Sequence, residues 1–280
     1  VDIIVVGRFS GSQSLAAVGS TTALINVFTN LFIGISLGAN VLAARYYALE
    51  KSKEMSETVH TAIAFALISG VGMAVIGLLM AKPALELMGT PDDVIAKSTL
   101  YMRIYFCGMP FFMLYNYGAA ILRAVGDTKR PLIFLLISGV INAILNLFLV
   151  IQFHLDVAGV GIATVISQLI SCILVLRCLY CSESSYQFRP EKLNIRSSYL
   201  RQIFEVGIPA GIQSTVINLS NAMLQSSVNS FGSISMAGYT AANNIFGFLY
   251  VSVNSVTQAC MSFTSQNYGV KKLKRMDRVL

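Results

Sequence analysis

Charge is scarce in this chain: Asp, Glu, Lys and Arg make up 12% of its 280 residues, while 55% are hydrophobic. An ordinary soluble domain carries about 25% charged residues, so that class is excluded and a polytopic membrane protein remains. Histidine is scarcer still. His60 and His154 stand alone, so a metal centre or a histidine-based proteolytic site lacks its constituents. Five cysteines are present, and only Cys178 and Cys181 have a metal-like or redox-like spacing. With no second pair or histidine beside them, they read as reduced structural thiols. No nucleophile is matched with a base, so the chain reads as neither an enzyme nor a cofactor or metal carrier. A signal peptide is also lacking, since no basic segment leads into a small-residue cleavage site. The first residue is not Met. The opening VDIIVVG reads as the last turns of a span and the closing KKLKRMDRVL as a loop leading onward, so an interior piece of a longer protein is expected.

Long apolar runs are what the chain has. A helical crossing needs about 20 such residues, and runs lie near 17–44, 57–81, 98–122, 131–151, 157–180, 203–229 and 237–265. This predicts an all-α fold of about seven full transmembrane helices after a partial first one. The net charge of +7 follows topology. Arg45, Lys51 and Lys53 follow the first full span, and Arg123, Lys129 and Arg130 the third. Arg177, Arg189, Lys192, Arg196 and Arg201 follow the fifth; Lys271, Lys272, Lys274, Arg275 and Arg278 follow the seventh. Basic residues in every second loop mark those four loops as cytoplasmic. Orientation accounts for the charge, and nucleic acid is not an expected partner.

Several spans carry polar residues on one face. Asn142 and Asn146 lie four apart in Pro131–Ile151, so both amides point the same way. An unpaired amide in hydrocarbon costs several kcal/mol, roughly, so that face must look at protein or enclosed water. Thr22, Asn26, Thr29 and Asn30 form a second stripe, and Thr164, Gln168 and Ser171 a third. Ser214, Asn218, Asn221, Gln225 and Asn229 form the longest, which favours a water-filled cavity over helix-to-helix glue. By contrast, 62–80 is almost wholly apolar and reads as lipid-facing. Pro83 to Asp93 is expected as a short outer interfacial piece, Gly126-Asp127 as a tight cytoplasmic turn, and 182–199 as a cytoplasmic linker between two bundles. The span after the linker should kink or start at Pro209.

Shifting the chain by 221 positions lays Gly11-Ser12-Gln13-Ser14-Leu15-Ala16 onto Gly232-Ser233-Ile234-Ser235-Met236-Ala237. The same shift lays Tyr47 onto Tyr268 and Lys51 onto Lys272. An even number of spans separates the copies, so the repeat is parallel and implies two related bundles of about six helices.

The motifs VDIIVVGRFSGSQSLAAVG, ARYYALEKSK, GAAILRAVGDTKRP, INAILN, GVGIATVISQ, GIPAG and SQNYGVKK together resemble the multidrug and toxic compound extrusion (MATE) family. That resemblance implies twelve helices in two six-helix lobes around a cavity open alternately to either side. Residues 1–181 would hold the first lobe from the end of its first helix, 182–199 the linker, and 200–280 the first two helices of the second lobe. The family's proton or cation site would fall on Asp2, Asn142, Asn146 and Thr164, with Asn146 where the family has an Asp. Asp2 is then the one carboxylate in the cluster. A carboxylate sheltered among amides holds its charge at a cost that protonation relieves, which suits a proton switch. The span after GIPAG has no carboxylate, so the chain looks most like the DinF-like branch.

The expected function is therefore secondary antiport, exporting amphipathic or cationic organic compounds in exchange for H⁺ or Na⁺. The protein would act as a multi-pass plasma-membrane monomer whose partners are its small-molecule substrates and the bilayer. Asn26, Asn30, Tyr117, Ser214, Asn218, Asn221, Gln225, Asn244 and Tyr250 are the candidate cavity residues, with Tyr115 and Phe246 as further aromatics. A flippase for a lipid-linked cell-wall or polysaccharide precursor is the alternative. It would need a strongly cationic cavity, and no span interior supplies one.

Overall fold

The structure, a computed structural model, describes residues 2–9, 12–87, 90, 92–229 and 233–276, though not every side chain within those ranges. Helix dominates and no strand occurs among the described residues. The helices are α1 Asp2–Phe9, α2 Ser12–Ala48, α3 Ser52–Leu87, α4 Asp92–Cys107, α5 Met109–Ala124, α6 Lys129–Leu147, α7 Asp156–Tyr180, α8 Ser197–Asn229, α9 Ser233–Gly269 and α10 Leu273–Met276. Four stretches among the described residues are long and apolar enough to cross a bilayer: Thr29–Ala48, Ser52–Leu87, Lys129–Gln152 and Asp156–Tyr180. The side chains explain their environment. On α6, Leu132, Leu136, Val140, Ile144 and Leu147 are exposed, whereas Ser138 and Asn146 are buried. An apolar exterior and a polar interior is the inverse of a soluble helix, and hydrocarbon is the solvent that such an exterior fits.

Three boundaries differ from the sequence expectation. The span placed at 98–122 is broken, because Pro110 has no N–H to give the preceding turn. The chain closes α4 with Gly108 N–H on the Tyr105 carbonyl at 2.9 Å and restarts with Phe112 N–H on the Gly108 carbonyl at 3.0 Å. The outer piece from Pro83 is instead the continuation of α3, which runs through that proline to Leu87. Likewise α8 begins at Ser197 and contains Pro209, so the span does not start there. A further feature, a π-helical turn at Phe148–Gln152, ends α6.

The internal repeat is visible in the backbone. Under the 221-residue shift Ser12 pairs with Ser233 and Ala48 with Gly269, which are the two ends of α2 and of α9, each 37 residues long. The turns that follow also match. Glu50 has φ 55 and its shifted partner Lys271 has φ 56. Lys51 N–H bonds the Tyr46 carbonyl at 3.1 Å, and Lys272 N–H bonds the Asn267 carbonyl at 2.9 Å, the same 6→1 closure of a helix end.

α2 packs against α3, α4, α5, α8 and α9, and so stands at the centre of the molecule. Its crossing with α8 depends on two Gly-x-x-x-Gly pairs, Gly34 with Gly38 and Gly207 with Gly211. A Cβ at Gly38 would overlap the Ile203 carbonyl, and one at Gly207 would stand 2.6 Å from the Ile35 Cα. Small residues let the two backbones touch there. Residues 182–196 are strapped down. Arg189 N–H donates to Nε2 of buried His60 at 3.0 Å, while His60 Nδ1–H donates to the Ser56 carbonyl at 2.6 Å. Arg196 N–H reaches the Thr61 hydroxyl at 3.3 Å and its guanidinium reaches Glu57 at 3.1 Å. His60 is thus a structural residue that fastens 182–196 to α3.

Candidate functional site

Asp2, Asn142, Asn146 and Thr164 come together although they are up to 162 positions apart in sequence. α1 supplies Asp2, the inner face of α6 the two amides, and α7 the hydroxyl. Asn146 Nδ2 donates to Asp2 Oδ1 at 2.8 Å and to Asn142 Oδ1 at 3.1 Å. Thr164 Oγ1 donates to Asp2 Oδ2 at 3.2 Å, and Asn142 Nδ2 donates to Thr164 Oγ1 at 3.3 Å. The ring fixes both amide orientations, since turning Asn146 over would lose two bonds. It leaves Asn146 Oδ1 buried with no partner. Such an orphan acceptor costs about 1–3 kcal/mol, so it invites a donor or a cation. Asp2 is half-buried and Asn146 fully buried. Tyr101 and Tyr105 on α4 lie within electrostatic reach of Asp2. At about 1.5 Å per residue, Thr164 lies roughly 12 Å along α7 from its Asp156 end.

The candidate cavity residues are dispersed. Tyr117 is fully buried in the apolar core, edge-on to Phe65 at 6.0 Å between ring centroids, and its hydroxyl has no partner. It therefore does not line an open cavity; the helix face that carries it is the one pressed on α3. Asn26 is exposed, and Asn30 spends its amide on the Asn26 carbonyl at 2.7 Å. Ser214 is half-buried and donates to the Ala210 carbonyl at 3.0 Å. Tyr250 and Phe246 are exposed. The side chains of Asn218, Asn221, Gln225, Asn229 and Asn244 lie outside the described ones.

A second polar group was not singled out in the sequence. At the basic end of the molecule, Asn40 Nδ2 donates to the Ala120 carbonyl at 2.8 Å while its Oδ1 accepts from Ser262 Oγ at 2.9 Å. Ser265 Oγ donates to the Val41 carbonyl at 2.7 Å and Gln266 Nε2 to the Ala124 carbonyl at 2.6 Å. This uncharged seam ties α9 to α2 and α5. The sequence signal for it is the motif SQNYG, which the 221-residue shift lays onto the end of α2. At the other end, Lys97 on α4 bridges Asp156 at 2.8 Å and Ser14 at 2.9 Å. Among the described residues no three His, Cys, Asp or Glu side chains gather as a metal site.

The MatE family profile matches residues 1–148 and 209–280. The chain belongs to that family. A probable multidrug resistance protein, YoeA of Bacillus subtilis strain 168, is 31% identical over 289 residues, covering 100% of this chain and 62% of its own length. A solved MATE family transporter in its outward-facing conformation matches with TM-score 0.88 at 19% identity, over 99% of this chain and 62% of that one. An inward-facing MATE transporter structure matches with TM-score 0.77 at 20% identity, over 99% and 63%. The chain thus spans about three fifths of the length of the relatives it matches. MatE proteins are membrane transporters rather than enzymes, and this chain's several apolar helices make it a multi-pass member.

Proposed function

We propose that this MatE protein is an antiporter that expels amphipathic or cationic organic compounds in exchange for protons, and that Asp2 carries the exchanged proton. The observation behind this reading is the ring around Asp2, a carboxylate held by an amide and a hydroxyl beside an unpartnered buried oxygen. The ring tolerates either protonation state. As an anion, Asp2 accepts from Asn146 and Thr164. Once protonated, it donates to Thr164 Oγ1, whose hydroxyl turns away, while Asn146 continues to donate to the other oxygen. Na⁺ is the competing coupling ion, for which Asp2, Asn146 Oδ1 and Thr164 Oγ1 are the oxygen donors. The name of the B. subtilis relative favours drug-like cargo over the lipid-linked precursor of a flippase.

The better fit to the outward-facing transporter, together with the closed seam at the basic end, supports reading this arrangement as open to the outside. The lack of a carboxylate from Ile212 to Asn229 favours the DinF-like branch, with coupling confined to the first lobe. A monomer in the plasma membrane is the assembly consistent with this reading. The deciding experiment loads proteoliposomes with an ethidium-like dye and imposes a pH or a Na⁺ gradient. Efflux driven by the pH gradient and lost in Asp2→Asn supports proton exchange; efflux unchanged in that variant removes it.

A further inference from the structure

A cleft of about 600 Å³ opens between the end of α5, the turn after it, the start of α6 and the inner half of α9. It is separate from the Asp2 ring, and Tyr115 and the seam residues Ser262 and Gln266 are among the residues lining it. Arg123 faces this cleft. Among the described residues, its guanidinium has no carboxylate within ion-pair distance and no hydrogen-bond acceptor. The acid nearest in the chain, Asp127, is engaged with Arg130 at 3.4 Å and with the Arg130 N–H at 3.2 Å. Tyr115 spends its hydroxyl on the Pro131 carbonyl at 3.0 Å. A half-buried guanidinium with five donors and no anion is a charge that lacks its partner.

The rest of the cleft indicates what that partner is. Leu132 and Leu135 on α6 are 56% and 54% exposed, and Phe263 on α9 is 39% exposed. They form an apolar wall beside the arginine. Gln258, Ser255 and Thr128 supply neutral polar groups around the arginine. Arg123 sits in the last turn of α5, level with the basic loop that holds Lys129 and Arg130. That loop marks the inner headgroup plane, where anionic lipid is attracted to basic residues. A ligand with a phosphate at this depth and an acyl chain below it satisfies both walls at once.

We infer that the cleft binds an anionic phospholipid of the cytoplasmic leaflet, with its phosphate on Arg123 and its first acyl segment against Leu132, Leu135 and Phe263. The shared chemistry is a phosphate oxyanion, and the apolar wall selects the lipid over a free ion. The test titrates detergent-purified protein with fluorescent phosphatidylglycerol and, separately, fluorescent phosphatidylcholine. Binding, not transport, is read, so the outcome is independent of whether Asp2 couples efflux. Wild-type protein prefers phosphatidylglycerol by ~10-fold, the equivalent of one charge-assisted contact. Arg123→Gln abolishes the preference and Arg123→Lys keeps most of it, while Arg130→Gln leaves it unchanged. If Arg123→Gln does not fold, Leu135→Trp fills the cleft with the arginine in place and must weaken phosphatidylglycerol binding. Equal binding by wild-type and the folded Arg123→Gln or Leu135→Trp variant overturns the assignment. So does displacement of the labelled lipid by millimolar inorganic phosphate, which would make the site one for a soluble anion.

Discussion

The Asp2 ring and the Asn40 seam are both polar clusters joining three helices, yet one contains a carboxylate and the other only amides, hydroxyls and backbone carbonyls. The difference separates two tasks. Under the proposed exchange, the first cluster is the one whose charge can change with the side of the membrane it faces. The second has nothing to titrate, and its strength depends on how closely α9 approaches α2 and α5. Within the proposed cycle, the charged cluster senses and the neutral one holds.

The largest effect is expected from removing the charge. Asp2→Asn keeps an oxygen for Asn146 and places an amide N–H opposite Thr164 Oγ1, so the ring still closes and stability should change by less than about 1 kcal/mol. Gradient-driven efflux should nevertheless fall ~100-fold, about 3 kcal/mol on a rate scale. Dye binding in detergent should be retained. If efflux and thermal stability fell together, the carboxylate would be structural and the contrast between the clusters would disappear.

Next comes the close crossing of α2 and α8. Gly38→Ala places a methyl on the Ile203 carbonyl, and neither backbone can yield without parting α2 from α8. A cost of about 1–3 kcal/mol is expected for such overpacking, seen as a Tm several degrees lower in a thermal-shift assay. Gly139→Ala is the control, since a Cβ on that exposed α6 position meets nothing within 4 Å. It should be neutral or stabilise by about 0.5–1 kcal/mol through helix propensity.

A smaller and more selective effect is expected at the seam. Asn40→Leu removes two hydrogen bonds and leaves the Ser262 hydroxyl without its acceptor, at about 1–2 kcal/mol after partial hydration. A shift of that size moves a two-state equilibrium ~5–30-fold. In a cysteine-free background carrying Ser262→Cys, labelling by an impermeant thiol reagent from the cytoplasmic side should rise by about that factor, with the same rise at pH 6 and pH 8. A rise confined to one pH would give the seam a titrating member and remove the division of tasks.

These two clusters were not equally legible in the sequence. The Asp2 ring was readable because Asn142 and Asn146 lie one turn apart in an otherwise oily span, and the family pattern supplied Asp2 and Thr164. The seam was not, because three of its acceptors are backbone carbonyls, which carry no residue signature. The repeat offset came through to the residue, since the ends of α2 and α9 and the turns after them coincide under it. The break at Gly108 was missed because apolar runs on both sides concealed Pro110. For Tyr117, being aromatic and near polar residues does not reveal which helix face it occupies, and its face is packed on Phe65.

The smallest effect tests whether charge alone marks a functional cluster. Lys97 joins α2, α4 and α7 at the outer end through Ser14 and Asp156, and so resembles the Asp2 ring in reach. Its side chain is 37% exposed and that of Asp156 32%, so water screens the pair and its worth is about 0–1 kcal/mol. Lys97→Gln retains a donor for Ser14 and should lower Tm by less than about 3 °C. Unlike the change at Asp2, it should leave the pH dependence of dye efflux where it was. A shifted pH profile in Lys97→Gln would mean that the proton is shared between Asp2 and Asp156, and the sensing task would then belong to the two together.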